Sequence, residues 1–440
     1  MDVEILSRIQ FALTVSFHYL FPPLSIGLGL LLVAMEGLYL KTKNPVYETL
    51  AKFWTKLFAI TFTVGVATGV VMEFEFGTNW ATYSRFVGDI FGSPLAIEGL
   101  FAFALESTFL GILVFGWNKT KPTTHFIATI GVWLGSMLSA IWIIVANSWQ
   151  QTPAGFQLVV NGSKMRAEIT DFWAMVFNPS SMDRVFHVWM GAFLSGAFLV
   201  LSVHAYYILK NRHVELSKKA FKIALAVIIV VSFVQLFSGH RSANIVAKYQ
   251  PVKLASLEGH WDSIAPADMY LFGYIDKKAE KTYGIAIPGG LSFLTSTSFK
   301  TPVQGLKAVP RQDRPGPLNL VFQFYHVMII LGVFFIGYSL LMLFLWWRGK
   351  LFSYKWVLWL TTFSVVLPQI ANQVGWYATE IGRQPWIVYK LLRTSDALSK
   401  AVQAQQVVFS IILFSVVYLI LFALFIYLLR KSILTGPEKD

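Results

Sequence analysis

The residues of this 440-residue chain that could do chemistry stand inside long apolar runs. Ionisable side chains are costly to place at membrane depth, and those found there are mostly functional. His18 lies within Phe17-His18-Tyr19-Leu20-Phe21; His187, His204 and His326 stand in later runs, and Met328 follows His326 by two residues. Imidazole nitrogen and thioether sulfur are axial ligands for haem iron. Glu98 and Glu106 share one run. Eight helical residues set them about 80° apart around the axis and about 12 Å apart along it. They then share one broad side at two depths, as a proton relay needs. Ser139 and Asn147 add polar groups to the next run, and a later one ends in Gly375-Trp376-Tyr377-Ala378-Thr379-Glu380.

Each residue also has a plainer reading. A buried histidine can simply hydrogen-bond a neighbouring helix, and His204, close to a basic loop, reads that way. Met328 alone would be core filler. Glu380 could pair with Arg383, three residues on. The two carboxylates of one run resist such a reading, because buried carboxylates need partners, protons or ions. The chain has no cysteine, which excludes disulfides, iron–sulfur clusters, thiolate ligands and thioether-linked haem. A haem here is held non-covalently, by His, Met or carboxylate. A His and a Met on different spans at similar depth can take the two faces of one iron. His18 and Glu380 can each supply one ligand to further haems, leaving a face open for oxygen. Spacing alone fixes none of these pairings.

The elements that must position these groups are membrane helices. Hydrophobic residues make up 55% of the chain and charged residues 13%, about half the charge of a soluble domain. Nine apolar runs are long enough to cross the bilayer: 9–39, 53–76, 94–116, 124–147, 185–210, 220–238, 319–346, 353–378 and 404–430. The net charge of +13 is a topological signal rather than a nucleic-acid footprint. Lys and Arg gather in the loops near 41–56, 117–123, 210–222 and 347–355 and in the Arg430-Lys431 tail. The positive-inside rule makes those loops and the C-terminus cytoplasmic and the N-terminus external. The ten Lys and Arg of segment 239–318 do not count against this, since long loops are largely exempt. Segment 148–184, with Trp149, Phe172 and Trp173, is expected partly on the outer surface. No basic stretch precedes a short apolar core, so no cleaved signal is expected. The reading is an all-α integral membrane protein with the chain divided at 1–238, 239–318 (an external loop) and 319–440.

The motif-bearing stretches are Leu6-Ser7-Arg8-Ile9-Gln10-Phe11-Ala12-Leu13, Gly65-Val66-Ala67-Thr68-Gly69, Met72-Glu73-Phe74-Glu75-Phe76-Gly77-Thr78-Asn79-Trp80, Pro94-Leu95-Ala96-Ile97-Glu98-Gly99-Leu100, Leu105-Glu106-Ser107-Thr108-Phe109, Val145-Ala146-Asn147 and Gly382-Arg383-Gln384-Pro385-Trp386. Through them the chain resembles subunit I of the cytochrome bd quinol oxidases over nearly its whole length. The resemblance implies two b-type haems and one haem d. It implies that His187 and Met328 are the axial pair of the low-spin b haem and that His18 and Glu380 serve the high-spin b haem and haem d. Trp376 matches the aromatic between the haems. Glu98, Glu106, Ser107 and Ser139 match the proton route, and Arg8 and Glu73 match other polar groups near the haems. Lys253 and Glu258, in Gln250-Pro251-Val252-Lys253-Leu254-Ala255-Ser256-Leu257-Glu258, resemble the quinol-binding segment, here in a short loop.

Two departures stand out. His326 occupies a position where many relatives have Arg, so a group that titrates near neutrality replaces a fixed charge. Gly239-His240-Arg241-Ser242-Ala243 replaces an acidic start to the quinol loop, which bears on quinone preference. The resemblance further implies a second large membrane subunit, with small single-span subunits in some assemblies, in the bacterial cytoplasmic (inner) membrane, and no nucleic-acid partner. Quinol would be oxidised at the outer face and oxygen reduced to water with cytoplasmic protons, building a proton motive force without pumping. The rival readings are a b-haem subunit passing electrons without oxygen, and an ion-coupled transporter using Glu98 and Glu106, which would carry no pigment.

Overall fold

In a bilayer a backbone must satisfy its own hydrogen bonds, which leaves these apolar runs little but the helix. The computed structural model describes residues 2–162 and 164–437; the side chains of Glu73, Phe76, Asn161 and Lys164 fall outside that description. In chain order the helices are α1 (Val3–His18), α2 (Pro22–Thr42), α3 (Pro45–Thr78), α4 (Ala81–Phe86), α5 (Gly88–Ile97), α6 (Ala104–Phe115), α7 (Pro122–Gln151), α8 (Phe172–Val176), α9 (Ser181–Leu209), α10 (Val214–Tyr249), α11 (Pro251–Glu258), α12 (Gly290–Ser296), α13 (Leu318–Trp347), α14 (Lys355–Phe363), α15 (Leu367–Ile381) and α16 (Ala404–Thr435). Among the described residues nine helical segments are long and apolar enough to span a membrane, each overlapping one of the nine expected runs. Three antiparallel hairpins decorate the bundle: β1 (Phe156–Asn161) with β2 (Lys164–Ile169), β3 (Met269–Asp276) with β4 (Lys281–Ile287), and β5 (Trp386–Val388) with β6 (Leu392–Arg393).

Three spans are not single regular helices. The first breaks just after His18, at Tyr19–Phe21. Pro22 and Pro23 lack the N–H that a continuing helix would need and sit instead in the first turn of α2. The third carries a π-helical turn at Glu98–Phe103 between α5 and α6, a feature found mostly at functional sites. The eighth pauses between α14 and α15, where Pro368 opens the second half.

The sixth span is longer than expected. It runs to Tyr249, so the segment read as a loop from residue 239 begins as helix. Two contacts hold polar residues there: Arg241 pairs with Asp183, and His240 bonds Asn244 one turn on. Hydropathy sees where a helix leaves the hydrocarbon, not where it stops.

Helix α9 is the hub of the bundle, buried along most of its length against α2, α7, α10, α14 and α15. The α2–α9 crossing is made by two glycines. A Cβ on Gly27 would come within 2.3 Å of the Ala192 carbonyl oxygen, and one on Gly196 within 2.3 Å of the Gly27 carbonyl carbon. Such small-residue contacts let membrane helices approach at backbone distance.

The basic loops share one end. Lys219, at the start of α10, lies over the Tyr47 ring at the start of α3, and Lys52 over Trp117 after α6. Lys222 lies over Trp346 at the end of α13. Arg212, between α9 and α10, donates to the Leu434 carbonyl oxygen of α16.

Candidate haem and quinol site

Helix α15 organises the opposite half. Its polar residues Gln369, Asn372, Gln373, Trp376, Tyr377 and Glu380 recur at helical spacing and touch four different helices. Asn372 Nδ2 donates to Ser195 Oγ (2.9 Å) and to the Gly191 carbonyl oxygen (3.3 Å) on α9. Because α9 and α15 run antiparallel, this contact sets His187 level with Trp376. Gly375 lies against Met328 on α13, where an added Cβ would sit 2.8 Å from the sulfur. On the other side Gln373 Nε2 donates to the Ser16 carbonyl oxygen (2.8 Å), and Tyr19, next to His18, meets Trp376 edge to face at 5.7 Å. Arg184, one turn before His187, lies 5.4 Å over the Trp376 ring. The structure thus brings His187 and Met328 to one level, with His18 across α15 and Trp376 between.

The ligand candidates are held by neighbouring helices. His187 Nδ1 meets Ser238 Oγ at 3.0 Å and its Nε2 meets Gln235 Nε2 at 3.2 Å, both on α10. His18 Nδ1 meets Thr68 Oγ1 on α3 at 3.1 Å. A Cβ on Gly69 would come within 3.1 Å of His18 Cε1. Glycine thus faces His18 as it faces Met328, and a side chain there would press on the imidazole or the thioether.

Glu380 sits in a different setting from the others. Its Oε2 pairs with Arg383 Nη2 at 2.6 Å, and its Oε1 accepts from Asn147 Nδ2 (3.3 Å) and Gln151 Nε2 (3.2 Å). The plain ion-pair reading is therefore realised. Yet 32% of its side-chain surface stays accessible, so it is not packed solid.

The network extends to the quinol segment. Lys253 Nζ donates to Gln151 Oε1 at 2.8 Å and to Gln250 Oε1 at 3.3 Å. Arg383 Nη1 donates to Gln150 Oε1 (3.0 Å) and Arg184 Nη2 to Asn147 Oδ1 (2.6 Å). Three cations, Arg184, Lys253 and Arg383, thus surround one carboxylate, Glu380, among the described residues. Buried charge must be compensated. Burial first, then Arg184 and Arg383, hold the Lys253 amine well below the usual lysine range. An excess of buried positive charge beside His and Met side chains fits haem, whose propionates are anions. A cavity of about 90 Å³ opens beside Lys253 and Arg383, walled by Trp386, Tyr389 and Gly382.

Several expectations change. Lys253 and Glu258, expected in a loop, lie on a short helix, α11, and both are buried. Five residues turn a helix through about 140°, so the two point apart. Lys253 faces Glu380, whereas Glu258 reaches Tyr325 on α13. Burial pushes the Glu258 carboxyl up to about 7. Glu98 accepts a 2.7 Å hydrogen bond from Ser139 Oγ, and Glu106 packs over Gly135 with Ser136 beside it. Ser107 is exposed and bonds its own helix through the Ala104 carbonyl, so it stands apart from that line. Arg8 lies near Glu4 on α1 at 3.9 Å, not in the α15 network, and the Glu73 side chain lies outside the description. Both ring nitrogens of His326 face backbone carbonyl oxygens at 2.8 Å, those of Phe322 and Tyr270. His326 therefore pins the β3–β4 hairpin to α13 and points away from Met328's neighbours on α15. His204 is structural, between Trp54 Nε1 (3.0 Å) and Ser217 Oγ (3.1 Å).

Sequence reasoning missed Arg184, Gln150 and Gln151. The glutamines carried a signal: they stand three and four residues after Asn147, on its helical face. Arg184 carried none, because it lies in a polar approach to its span.

Comparison with known proteins agrees with this architecture. Residues 6–437 match the family described as cytochrome bd terminal oxidase subunit I. The chain is 42% identical to cytochrome bd ubiquinol oxidase subunit 1 of Bacillus subtilis, covering 100% of this chain and 95% of the relative. It is 35% identical to cytochrome bd-II ubiquinol oxidase subunit 1 of Escherichia coli, with 99% and 97% covered. In structure it is similar to bd oxidase from Geobacillus thermodenitrificans, with a TM-score of 0.91 and 29% identity over 99% of both chains.

Proposed function

The chain belongs to the cytochrome bd terminal oxidase subunit I family, and from that premise we propose how its own residues divide the work of a quinol oxidase. The chain is part of a haem-containing quinol:oxygen oxidoreductase, a multi-pass protein of the bacterial cytoplasmic membrane. In our reading the haems are two of b type and one of d type. His187 and Met328 hold the low-spin b haem, and His18 and Glu380 serve the other two. Arg383, Arg184 and Lys253 would neutralise propionates, and Trp376 would supply an aromatic surface beside the haems. When bound, the haems carry electrons from quinol and provide the place where oxygen is reduced to water.

The chain's own residues handle the protons. Quinol docks at the end opposite the basic loops, near α11. Glu258, with its carboxyl raised to about 7, is an acceptor for a quinol proton near neutral pH. Lys253 and Gln151 tie that helix to Glu380. Protons for water come from the other end, through Glu106, Glu98 and Ser139. Taking protons from the basic-loop side and releasing them at the quinol side separates charge without a pumping element. A second large subunit covers part of the exposed apolar surface.

The observation that carries this reading is the convergence of His18, His187, Met328 and Glu380 around α15, beside a buried excess of positive charge. The assembled oxidase in sealed vesicles tests it. Protons released at the quinol side should match the electrons delivered to oxygen, and the reduced enzyme should show low-spin b and d absorption. A larger proton yield would require a pump and overturn the proposed accounting.

A further inference from the structure

Three groups left idle by that reading meet at the basic-loop end. Glu36, near the end of α2, is 3% exposed, and His125, in the first turn of α7, is 2% exposed. Glu36 Oε1 accepts a hydrogen bond from Thr129 Oγ1 at 2.7 Å, and its Oε2 lies 3.0 Å from His125 Nδ1. The other ring nitrogen, Nε2, faces the Leu113 carbonyl oxygen at 3.1 Å. A carbonyl oxygen only accepts, so Nε2 carries a hydrogen. A carboxylate and a bare Nδ1 would then meet lone pair to lone pair. The 3.0 Å contact therefore needs one more proton, shared between Glu36 and His125. On either atom that proton leaves the pair with no net charge, which burial tolerates.

The pair has an approach and an outlet. A cavity of about 30 Å³ adjoins it, walled by Glu36, Tyr39, Glu48, Trp117 and His125. That is room for a water. Glu48 and Lys52, paired at 2.8 Å, keep 22% and 29% of their side-chain surface exposed nearby. In the other direction α7 turns His125, Thr129, Val132, Ser136 and Ser139 onto one face by steps of three or four residues. The stripe climbs about 20 Å. Thr129 meets Glu36, Ser136 meets Glu106, and Ser139 meets Glu98. One apolar step interrupts it at Val132.

We propose that Glu36 and His125 form the proton-loading site that takes protons from the basic-loop side and feeds Glu106 and Glu98. This rests on the oxygen-reducing function proposed above. The shared proton leaves toward Ser136 and Glu106 by way of the Thr129 hydroxyl and water. The pair left behind is short of one proton, with carboxylate and bare nitrogen opposed, and draws the next from the cavity. Only O–H and N–H bonds form and break, and no electron moves.

Glu36→Gln separates this role from a structural clamp. Its side-chain oxygen still accepts from Thr129 and its amide donates to Nδ1, so the clamp stays while the shared proton is lost. In the assembled oxidase, Glu36→Gln should lower steady-state oxygen consumption at least about tenfold. Haem content and single-turnover haem reduction by quinol should stay native, and Glu36→Asp should keep most activity. Native oxygen consumption in Glu36→Gln overturns the proposal, as does equal loss of haem in both variants. If Glu36→Gln does not assemble, His125→Gln takes its place with the same outcomes. Glu106→Gln is measured alongside. Slow turnover there with native turnover in Glu36→Gln overturns the loading site alone; native turnover in both overturns the route itself.

Discussion

At the scale of single residues, Met328 and Glu258 carry the most testable chemistry. Leu has nearly the volume of Met, and such swaps usually cost less than about 1.5 kcal/mol. Met328→Leu should therefore fold and assemble but lose the thioether proposed to hold the haem. The reduced-minus-oxidised spectrum should lose its low-spin b component, or its midpoint potential should fall; an unchanged low-spin spectrum refutes the ligand. Glu258 makes a pH prediction. Burial raises its carboxyl to about 7, so its proton-accepting form gains as pH rises through that value. Quinol oxidation should climb across the same window in the native enzyme. In Glu258→Gln the profile should flatten and the rate fall at least about tenfold, with haem content intact. A profile that keeps its rise in Glu258→Gln assigns the titration elsewhere.

At the scale of elements, α15 acts as a spine that makes room for the Met328 side chain. Gly375 is the clearest case, since a Cβ there meets Met328 Sδ at 2.8 Å. Alanine favours helix over glycine by about 1 kcal/mol, and the methionine end is flexible, so Gly375→Ala should not lower the melting temperature. It should shift the sulfur and with it the spectrum or potential of the low-spin haem. A native spectrum in this variant would mean the sulfur is not held at a fixed position. The same contrast explains why α11 was misjudged. Its sequence is short and flanked by polar residues, which reads as loop, but Leu254, Ala255 and Leu257 bury it against the bundle. A segment's polarity reports its neighbours in the chain, and burial depends on neighbours in space.

At the scale of the whole molecule, the separation of the two ends underlies the function. The basic loops, the Glu36–His125 pair and the end of α16 lie together, while α11, α15's end and the hairpins lie at the other. The chain has no cysteine, so single cysteines, read on the purified chain after labelling, report sidedness without background from its own residues. Lys278→Cys, on the β3–β4 turn, should react with an impermeant maleimide added to intact cells. Lys350→Cys, after α13, should react only once the membrane is opened. The reverse pattern would invert the proposed direction of proton uptake.

Much of this protein was fixed locally. Apolar run length and the lack of water in the bilayer dictate the membrane helices, and Lys and Arg in short loops mark one end. His18, Glu98, Glu106 and His187 stand out because a titratable group in an apolar run is conspicuous, whereas Met328 alone reads as core filler. Other features needed the tertiary structure, because they depend on where separate helices meet. The pairing of Glu380 with Arg383 and with Gln151 from α7, the level shared by His187 and Met328, and the burial of Lys253 and Glu258 are of this kind. So is the Glu36–His125 contact, made between residues 89 positions apart. Sequence spacing sets which face of one helix a residue takes; only packing sets which residue of another helix it meets.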